Sequence, residues 1–555
     1  MIDNNGGDVM NRKNYRSILK WGDPNHEEIV GHGTLEYIAR TFNLTRKDLG
    51  ERYMPGEEDV KLSKKCRLSP AVLSSLKKIV GEANVSTDDF DRAYHSYGKF
   101  FLDLVKLRYG MVENPPDAVV YPRSEADVVK IVKLCSDKKI AVTPFGGHSS
   151  VTRGVEAPKG GVSLDLTRHM DRVLRVSEEN SSVTVQPGMF GPALEKHLNS
   201  FGTGYTCGHF PQSFEHSTVG GWVVTRGAGQ ASTGYGKIED MVLSMRVVTP
   251  RGVIVTKDYP AAAIGPDIDQ IIIGSEGAFG VVTEVTMKIR AWRPDNTVYA
   301  SFLYKDFESA VKAMRVSMQG EFGKPHLFRI SDPEETDVAF AMKGMNGSAA
   351  DRVLRLLGYK PLKRCLMFVA VEGDADYAKL VAAKIKSVAK KHGGLSLGAG
   401  PTQKWLEQRY SSAYLRDPLM DLGLMTDTLE TAVSWENLMQ VWSATRAYLK
   451  ARPNTVCMVH ISHVYENGAN LYFTFLSPIR KGKDIEDFTR YHRGLIDTIH
   501  ASGGSLSHHH GVGRMMGPWM RAELGDTAHD LILAIKDYLD PRGIMNPGGT
   551  LGLKR

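Results

Sequence analysis

His508, His509 and His510 stand in a row within the stretch Gly-Gly-Ser-Leu-Ser-His-His-His-Gly-Val-Gly. A neutral imidazole can take or give a proton near neutral pH. Three adjacent residues cannot all face one way, so one or two of them are expected to reach a common site. Adjacent histidines without carboxylates make poor chelates, so no metal is expected; a solvated turn is the plain structural alternative. A second chemistry-bearing stretch is the loop of Pro144, Phe145, Gly146, Gly147, His148, Ser149 and Ser150, which follows the apolar run Ile140-Ala141-Val142. Two glycines and two hydroxyls in a tight loop can turn several N–H groups toward one anion. A diphosphate is the natural guest, and His148 would lie close to the cofactor that carries it.

Three further segments share this texture: QSFEHSTVGG from Gln212, TRGAG from Thr225 and GSEGAFG from Gly274. One such loop reads as a plain turn; four between residues 144 and 280 read as a nucleotide cradle. Tyr472, in Leu-Tyr-Phe-Thr-Phe, has the pattern of a core aromatic on a strand. Arg416, in Tyr-Leu-Arg-Asp, suits a phosphate or carboxylate, or a salt bridge to a neighbouring acid. Arg329, in His-Leu-Phe-Arg-Ile, could equally be structural.

The elements that must position these groups form four sections. Residues 1–112 read as a helical N-terminal region, with helical patterns at 35–40 and 71–76. Asp88 and its neighbours cap a helix at 90–97. Residues 113–294 alternate short β-branched strands (118–121, 140–143, 162–166, 183–185, 242–249, 281–289) with helices such as 126–138. No GxGxxG opens a helix after a strand, which disfavours a dinucleotide Rossmann fold. Residues 295–505 form a second α+β unit with strands at 299–303, 365–372, 456–460 and 471–476 and a helix at 375–392. Residues 506–555 carry the histidines and a helix at 528–538.

The 555 residues are 42% hydrophobic and 24% charged, ordinary for a globular protein of several domains. A net charge of +7 points to anionic ligands or an anionic membrane surface. The cations are dispersed and no recognition motif accompanies them, so nucleic acid is not expected. Five widely spaced cysteines without a CxxC pair suggest neither a disulfide framework nor a structural zinc site. A polar N-terminus, the lack of any long apolar run and the ending Gly-Leu-Lys-Arg predict no signal peptide, membrane span or C-terminal peroxisomal signal, hence a cytoplasmic protein.

PFGGHSS, STVGGW and GSEGAFGVVTE together resemble the FAD-binding domain of the vanillyl-alcohol-oxidase type. CGHFPQSFEHSTVGGWVVTR, YGKIEDMV, GPDIDQIIIGSEGAFGVVTE and SHHHGVG are similar to the alkyldihydroxyacetonephosphate synthase (alkylglycerone-phosphate synthase) family over residues 85–550. The resemblance implies an α+β architecture: a two-subdomain FAD-binding domain, an α+β cap and the helical N-terminal region. FAD contacts would fall on Pro144 to Ser150; on Gln212, Ser213, Phe214, Glu215, His216, Ser217 and Thr218; on Thr225, Arg226, Gly227 and Ala228; and on Ile273, Gly274, Ser275, Glu276, Gly277, Ala278 and Phe279. It places Tyr472, Arg416, Arg329 and the three histidines at catalytic positions. It implies ether-lipid synthesis: exchange of the acyl chain of acyl-dihydroxyacetone phosphate for a fatty alcohol through a flavin N5 adduct. The substrate would be a lipid with an anionic head group, met by a homodimer at a membrane face. Two departures keep an FAD-linked oxidoreductase of a 2-hydroxy acid or alcohol as the alternative. His148 stands where synthases carry a small residue; it would be a non-covalent neighbour of the flavin or, as in other branches, its covalent anchor. The ending Asn546-Pro547-Gly548 is similar to lactate- and glycolate-oxidising enzymes.

Overall fold

The computed structural model describes residues 13–26 and 28–553. The readings of the two chain ends therefore fall largely outside the described residues. Three main sheets organise the molecule. The first has four strands in the order Val85–Ser86, Ala118–Val120, Val162–Asp165 and Val142–Phe145, the last three parallel. The helix Glu125–Lys138 links the inner strand Ala118–Val120 to the edge strand Val142–Phe145 and is capped by Ser124, whose side chain accepts from Asp127 N–H. The second sheet is antiparallel and five-stranded: Val173–Ser177, Ser182–Val185, Val281–Lys288, Val242–Thr249 and Gly252–Val255. These two sheets and their helices form the subdomains that carry the glycine-rich loops.

The third sheet is antiparallel and seven-stranded. Its order is Leu395–Gly398, Val298–Tyr304, Cys365–Val371, Leu327–Ser331, Val456–Ile461, Gly468–Pro478 and Leu424–Ser434. One face packs on the long helices Phe307–Met318, Ala375–Lys391, Leu438–Lys450 and Asp484–Ala501, which share a single core with it. Burying that apolar face is the main term that holds the unit together. The last two strands pair over eleven residues and set Glu430 directly opposite Tyr472.

The regular structure of residues 13–112 is mainly helical but spread over both halves. Val85–Ser86 is a strand of the first sheet, and Pro70–Val80 packs on its helices. Tyr15–Leu19 and Phe101–Arg108 join the core of the seven-stranded unit, while His32–Phe42 packs beside Pro333–Met342. The C-terminal segment returns to the first sheet, where Val142 N–H donates to Ile544 and Asn546 N–H donates to Val142, each at 2.8 Å.

Two expected bounds shift. The strand expected at 140–143 runs from Val142 to Phe145, so Pro144 lies within it. That strand is the edge of its sheet, where a residue without N–H breaks no interior ladder. The helix expected to reach residue 97 stops at Tyr94. There the chain turns to place Lys99 N–H on the Ser150 carbonyl, and a side chain at Gly98 would collide with that carbonyl. Among the described residues no helix is long and apolar enough to cross a membrane.

Candidate active site

One cavity of about 1050 Å³ joins the glycine-rich loops to the open face of the seven-stranded sheet. All of Pro144 to Ser150 line it. So do Gln212, Ser213, Ser217, Thr218, Thr225, Gly227, Ala228, Glu276 and Gly277. The rest of the expected cofactor set stands behind this wall. Phe214, Ile273, Ala278 and Phe279 are core residues. Glu215 and His216 meet the Tyr414 hydroxyl at 3.3 and 3.0 Å. Arg226 pairs with Glu239 at 3.5 Å, and Gly274 and Ser275 form the turn before Glu276.

The loops are shaped by the lack of side chains. A methyl group on Gly147 would overlap the His216 carbonyl, and one on Gly146 would lie 2.6 Å from Thr218 Oγ1. The two loops therefore approach as only glycine permits, leaving a cleft between backbone groups. His148 adopts a left-handed backbone (φ +60°), and its ring lies 4.1 Å from Tyr94 and 5.6 Å from Phe145. Its Nε2 is buried without a partner on the cavity wall, and burial holds the imidazole well below its ordinary range, hence neutral. A close-approach cradle, hydroxyl donors and an orphaned acceptor suit a large polar cofactor, so these residues fit FAD. Gly147→Ala is expected to purify with little or no flavin, whereas Gly31→Ala, whose methyl would meet nothing within 4 Å and lies off the cavity, keeps it. Equal flavin absorbance in both would show that these loops are not the cradle.

The catalytic candidates come from the seven-stranded unit and from the histidine loop that adjoins the glycine-rich segments. Arg329, Arg416, Tyr472, His509 and His510 line the same cavity, whereas His508 does not. His508 instead meets the Tyr465 hydroxyl at 2.7 Å and His509 Nδ1 at 3.0 Å. Tyr472 stacks on His460 (4.6 Å, 12°), and His510 lies edge-on to it at 5.5 Å. Burial pushes the Tyr472 phenol up to about 12 and pushes His509 and His510 down. At neutral pH the phenol therefore holds its proton while the imidazoles are free to accept one. Arg416 realises the salt-bridge reading, with Asp427, and also donates to the Lys99 carbonyl, yet it still faces the cavity. Arg329 pairs with Glu335 at 2.6 Å and leaves its buried Nε without a partner.

Sequence reasoning missed Glu430, Arg514, Glu335 and His463, and named Glu276 and Asn546 without seeing that they hold this set in place. Glu430, whose side chain is wholly buried, accepts from Ser507 Oγ (2.6 Å) and from the N–H groups of His508, His509 and His510 (2.6, 3.2 and 3.0 Å). Glu276 accepts from Val512 and Gly513 N–H at 2.6 and 2.8 Å, and burial pushes its carboxyl up to about 7. Arg514 donates to Asn546 Oδ1 at 2.7 Å, and Asn546 donates to the Glu276 carbonyl at 2.6 Å. The Asn-Pro-Gly segment thus ties the histidine loop to the flavin loops, a structural duty independent of reaction type. Glu335 also meets His460 at 3.3 Å; against burial, which raises it, Arg329 and His460 hold its carboxyl at about 2. His463 completes a cluster with His508 and His509 whose ligand atoms lie within 4.8 Å of one another. Its Nδ1 is bonded to Ser232 Oγ at 2.7 Å.

Comparison with known proteins now bears on this geometry. A family model described as an FAD binding domain matches residues 116–258, and one described as the C-terminal domain of FAD linked oxidases matches residues 293–550. A crystal structure of p-cresol methylhydroxylase superposes with a TM-score of 0.67 at 16% identity, over 88% of this chain and 98% of that one. The fold is thus the vanillyl-alcohol-oxidase type of FAD-binding architecture, a helix-and-sheet flavoprotein with a cap. Within it, the chain is 34% identical over 497 residues to the alkyldihydroxyacetonephosphate synthase of Dictyostelium discoideum, covering 86% of this chain and 80% of that protein. A solved alkyldihydroxyacetonephosphate synthase superposes with a TM-score of 0.81 at 28% identity, over 96% of this chain and 99% of that one. The chain belongs to the alkyldihydroxyacetonephosphate synthase family of FAD-dependent enzymes.

Proposed function

We propose that the protein exchanges the acyl chain of acyl-dihydroxyacetone phosphate for a fatty alcohol. The observation that carries this reading is the composition of the cavity described above. Proton-handling groups and arginines sit where the flavin loops meet the cap, and from there the cavity continues into an apolar arm. Ile38, Phe42, Val338, Phe340, Leu419 and Leu476 line that arm. It accommodates an aliphatic chain by burial alone. A small 2-hydroxy acid would leave it unused.

In the exchange the bond between C1 and the ester oxygen breaks, and the fatty acid leaves with that oxygen. The alcohol oxygen bonds to C1, and its proton goes to a base. Bound FAD supplies a ring nitrogen able to take part without net redox. Arg329, through its unpartnered Nε, and Arg416 orient the phosphate. The neutral imidazoles of His509 and His510 accept the alcohol proton, and the Tyr472 phenol donates a hydrogen bond to the departing carboxylate. The cap walls keep water from competing with the alcohol.

Holoenzyme given palmitoyl-dihydroxyacetone phosphate and hexadecanol is expected to release palmitate and form the ether product, with the oxidised flavin spectrum restored once the substrate is consumed. Full bleaching by a 2-hydroxy acid under anaerobic conditions, without palmitate release, would sink the proposal. We also propose that FAD is held non-covalently. His148 rests against Tyr94 and Phe145 as a neutral imidazole, so its Nε2 serves as a hydrogen-bond acceptor in the cleft. Acid precipitation is expected to leave the yellow colour in the supernatant; a yellow pellet would assign His148 as a covalent anchor.

A further inference from the structure

The helix Ala349–Leu356 buries a charge and leaves apolar side chains in solvent. Of its inward residues, Leu354 packs on the core beside Leu303 and Leu366, and Asp351 is fully buried and paired with Arg364 at 2.6 Å, both side chains having no exposure; Asp351 also accepts from Gly347 N–H at 2.9 Å. The helix's outward stripe is apolar: Val353, Leu356 and Leu357 are 54, 88 and 53% exposed, and Leu362 beyond the turn is 65% exposed. The spacing 353, 356, 357 is one helical face. Scattered exposed leucines need no explanation, but a contiguous apolar ridge does.

The segment that carries the ridge has an excess of positive charge, and Asp337 of the helix Pro333–Met342 is the acid that meets it, at Leu362 N–H. Between residues 342 and 363 lie Lys343, Arg352, Arg355, Lys360 and Lys363 against one acid, the buried Asp351. Arg355 is tied to Asp351 at 2.6 Å, and the other four cations are exposed. A symmetric contact between two copies would set these cations against each other. An apolar ridge on a basic segment is complementary to an anionic bilayer, in which the leucines enter the interface and the lysines and arginines meet lipid phosphates. The ridge is also continuous with the cavity: Met342, itself 40% exposed, Lys343 and Met345 line the large cavity just before this helix begins.

We infer that the segment 342–363 is a docking face for an anionic lipid bilayer, seated so that lipid passes from the membrane into the cavity. The passage of lipid rests on the reaction proposed above; the docking surface does not. Holoenzyme is expected to co-sediment with vesicles of phosphatidylcholine mixed with phosphatidylglycerol. Binding to pure phosphatidylcholine vesicles should be weaker, and binding to the mixed ones should fall as salt rises. Leu356→Glu with Leu357→Glu is expected to weaken that binding by at least ~10-fold. Flavin content and Tm should stay unchanged, because both side chains point into solvent. Lys360→Glu with Lys363→Glu should abolish the preference for the anionic vesicles. Undiminished vesicle binding in the leucine variant, or none by wild type at low salt, would overturn the inference. So would a wild-type dimer that the leucine variant dissociates, which would assign the ridge to a second copy. Absent ether formation on detergent-dispersed substrate, with vesicle binding intact, would sink only the reaction reading.

Discussion

Replacing Tyr472 by Phe is expected to lower kcat by ~10²- to 10⁴-fold, the range that a positioned proton-transfer group contributes, while the purified variant keeps its FAD. The substitution removes one hydroxyl and its hydrogen bond with Thr428. The ring that stacks on His460 at 4.6 Å is retained, so the strand Gly468–Pro478 and its pairing with Leu424–Ser434 lose no packing. The glycine-rich loops are shaped by their own backbone contacts, such as the approach of Gly147 to His216, and these do not involve this hydroxyl. What is lost is a protonated phenol, pushed by burial up to about 12, facing His510 across 5.5 Å. Proton transfer in the exchange needs a donor and an acceptor that do not titrate into each other's state. The elevated phenol and the lowered imidazoles meet that need with two neutral groups. Flavin absorbance per protein and turnover with palmitoyl-dihydroxyacetone phosphate measure the two halves of the prediction. Near-normal turnover would remove Tyr472 from the mechanism, and loss of flavin would make its role structural.

Much of this site was legible in the sequence because its chemistry is written in short segments. Glycines that tolerate close approach cluster at 146–147 and 274–280, and consecutive histidines are rare enough to notice. The supporting residues were illegible for an equally physical reason. Glu430 lies in a strand whose sequence, Leu-Met-Thr-Asp-Thr-Leu-Glu-Thr-Ala-Val-Ser, reads as a polar segment. It is a strand because Thr426, Asp427, Glu430 and Thr431 are all buried, some against the cavity and some under the histidine loop. Arg329 concealed the strand Leu327–Ser331 in the same way: an ion pair inside a fully buried run looks polar until its partner Glu335 is in view. Glu335 and His463 answer to residues far away in the chain, and no local periodicity records such contacts. Nor does sequence texture show that Ile38 and Phe42, from the helical N-terminal region, would wall the cavity beside strands more than 400 residues later. The paired departures that kept an oxidoreductase in view illustrate the converse. Asn546-Pro547-Gly548 stood out by resemblance, but its asparagine is fixed by Arg514 and the Glu276 carbonyl, a duty that any enzyme of this fold with a loop there would require.

The same geometry makes Glu430→Ala the most disruptive single change expected outside the cofactor cradle. Its carboxylate is the shared acceptor for four donors of the histidine loop, three of them consecutive backbone N–H groups. No other acceptor for these backbone groups is at hand, and water has no open route to a side chain with no exposure. Leaving buried donors unpaired costs about 1–3 kcal/mol each, so the loop is expected to leave its present path rather than bear the whole cost. At its other end Glu276 would still hold Val512 and Gly513. The failure should therefore be local: flavin retained, Tm of the holoenzyme lowered, and turnover down by at least ~10²-fold through misplaced proton acceptors. Glu430→Gln separates position from charge. Its amide keeps one acceptor oxygen but turns an NH₂ toward donors, so it should recover part of the Tm and only a fraction of kcat. Wild-type kcat and Tm in Glu430→Ala would mean that the loop holds its own shape, and that the alignment of His509 and His510 with Tyr472 owes nothing to the strand that carries Glu430.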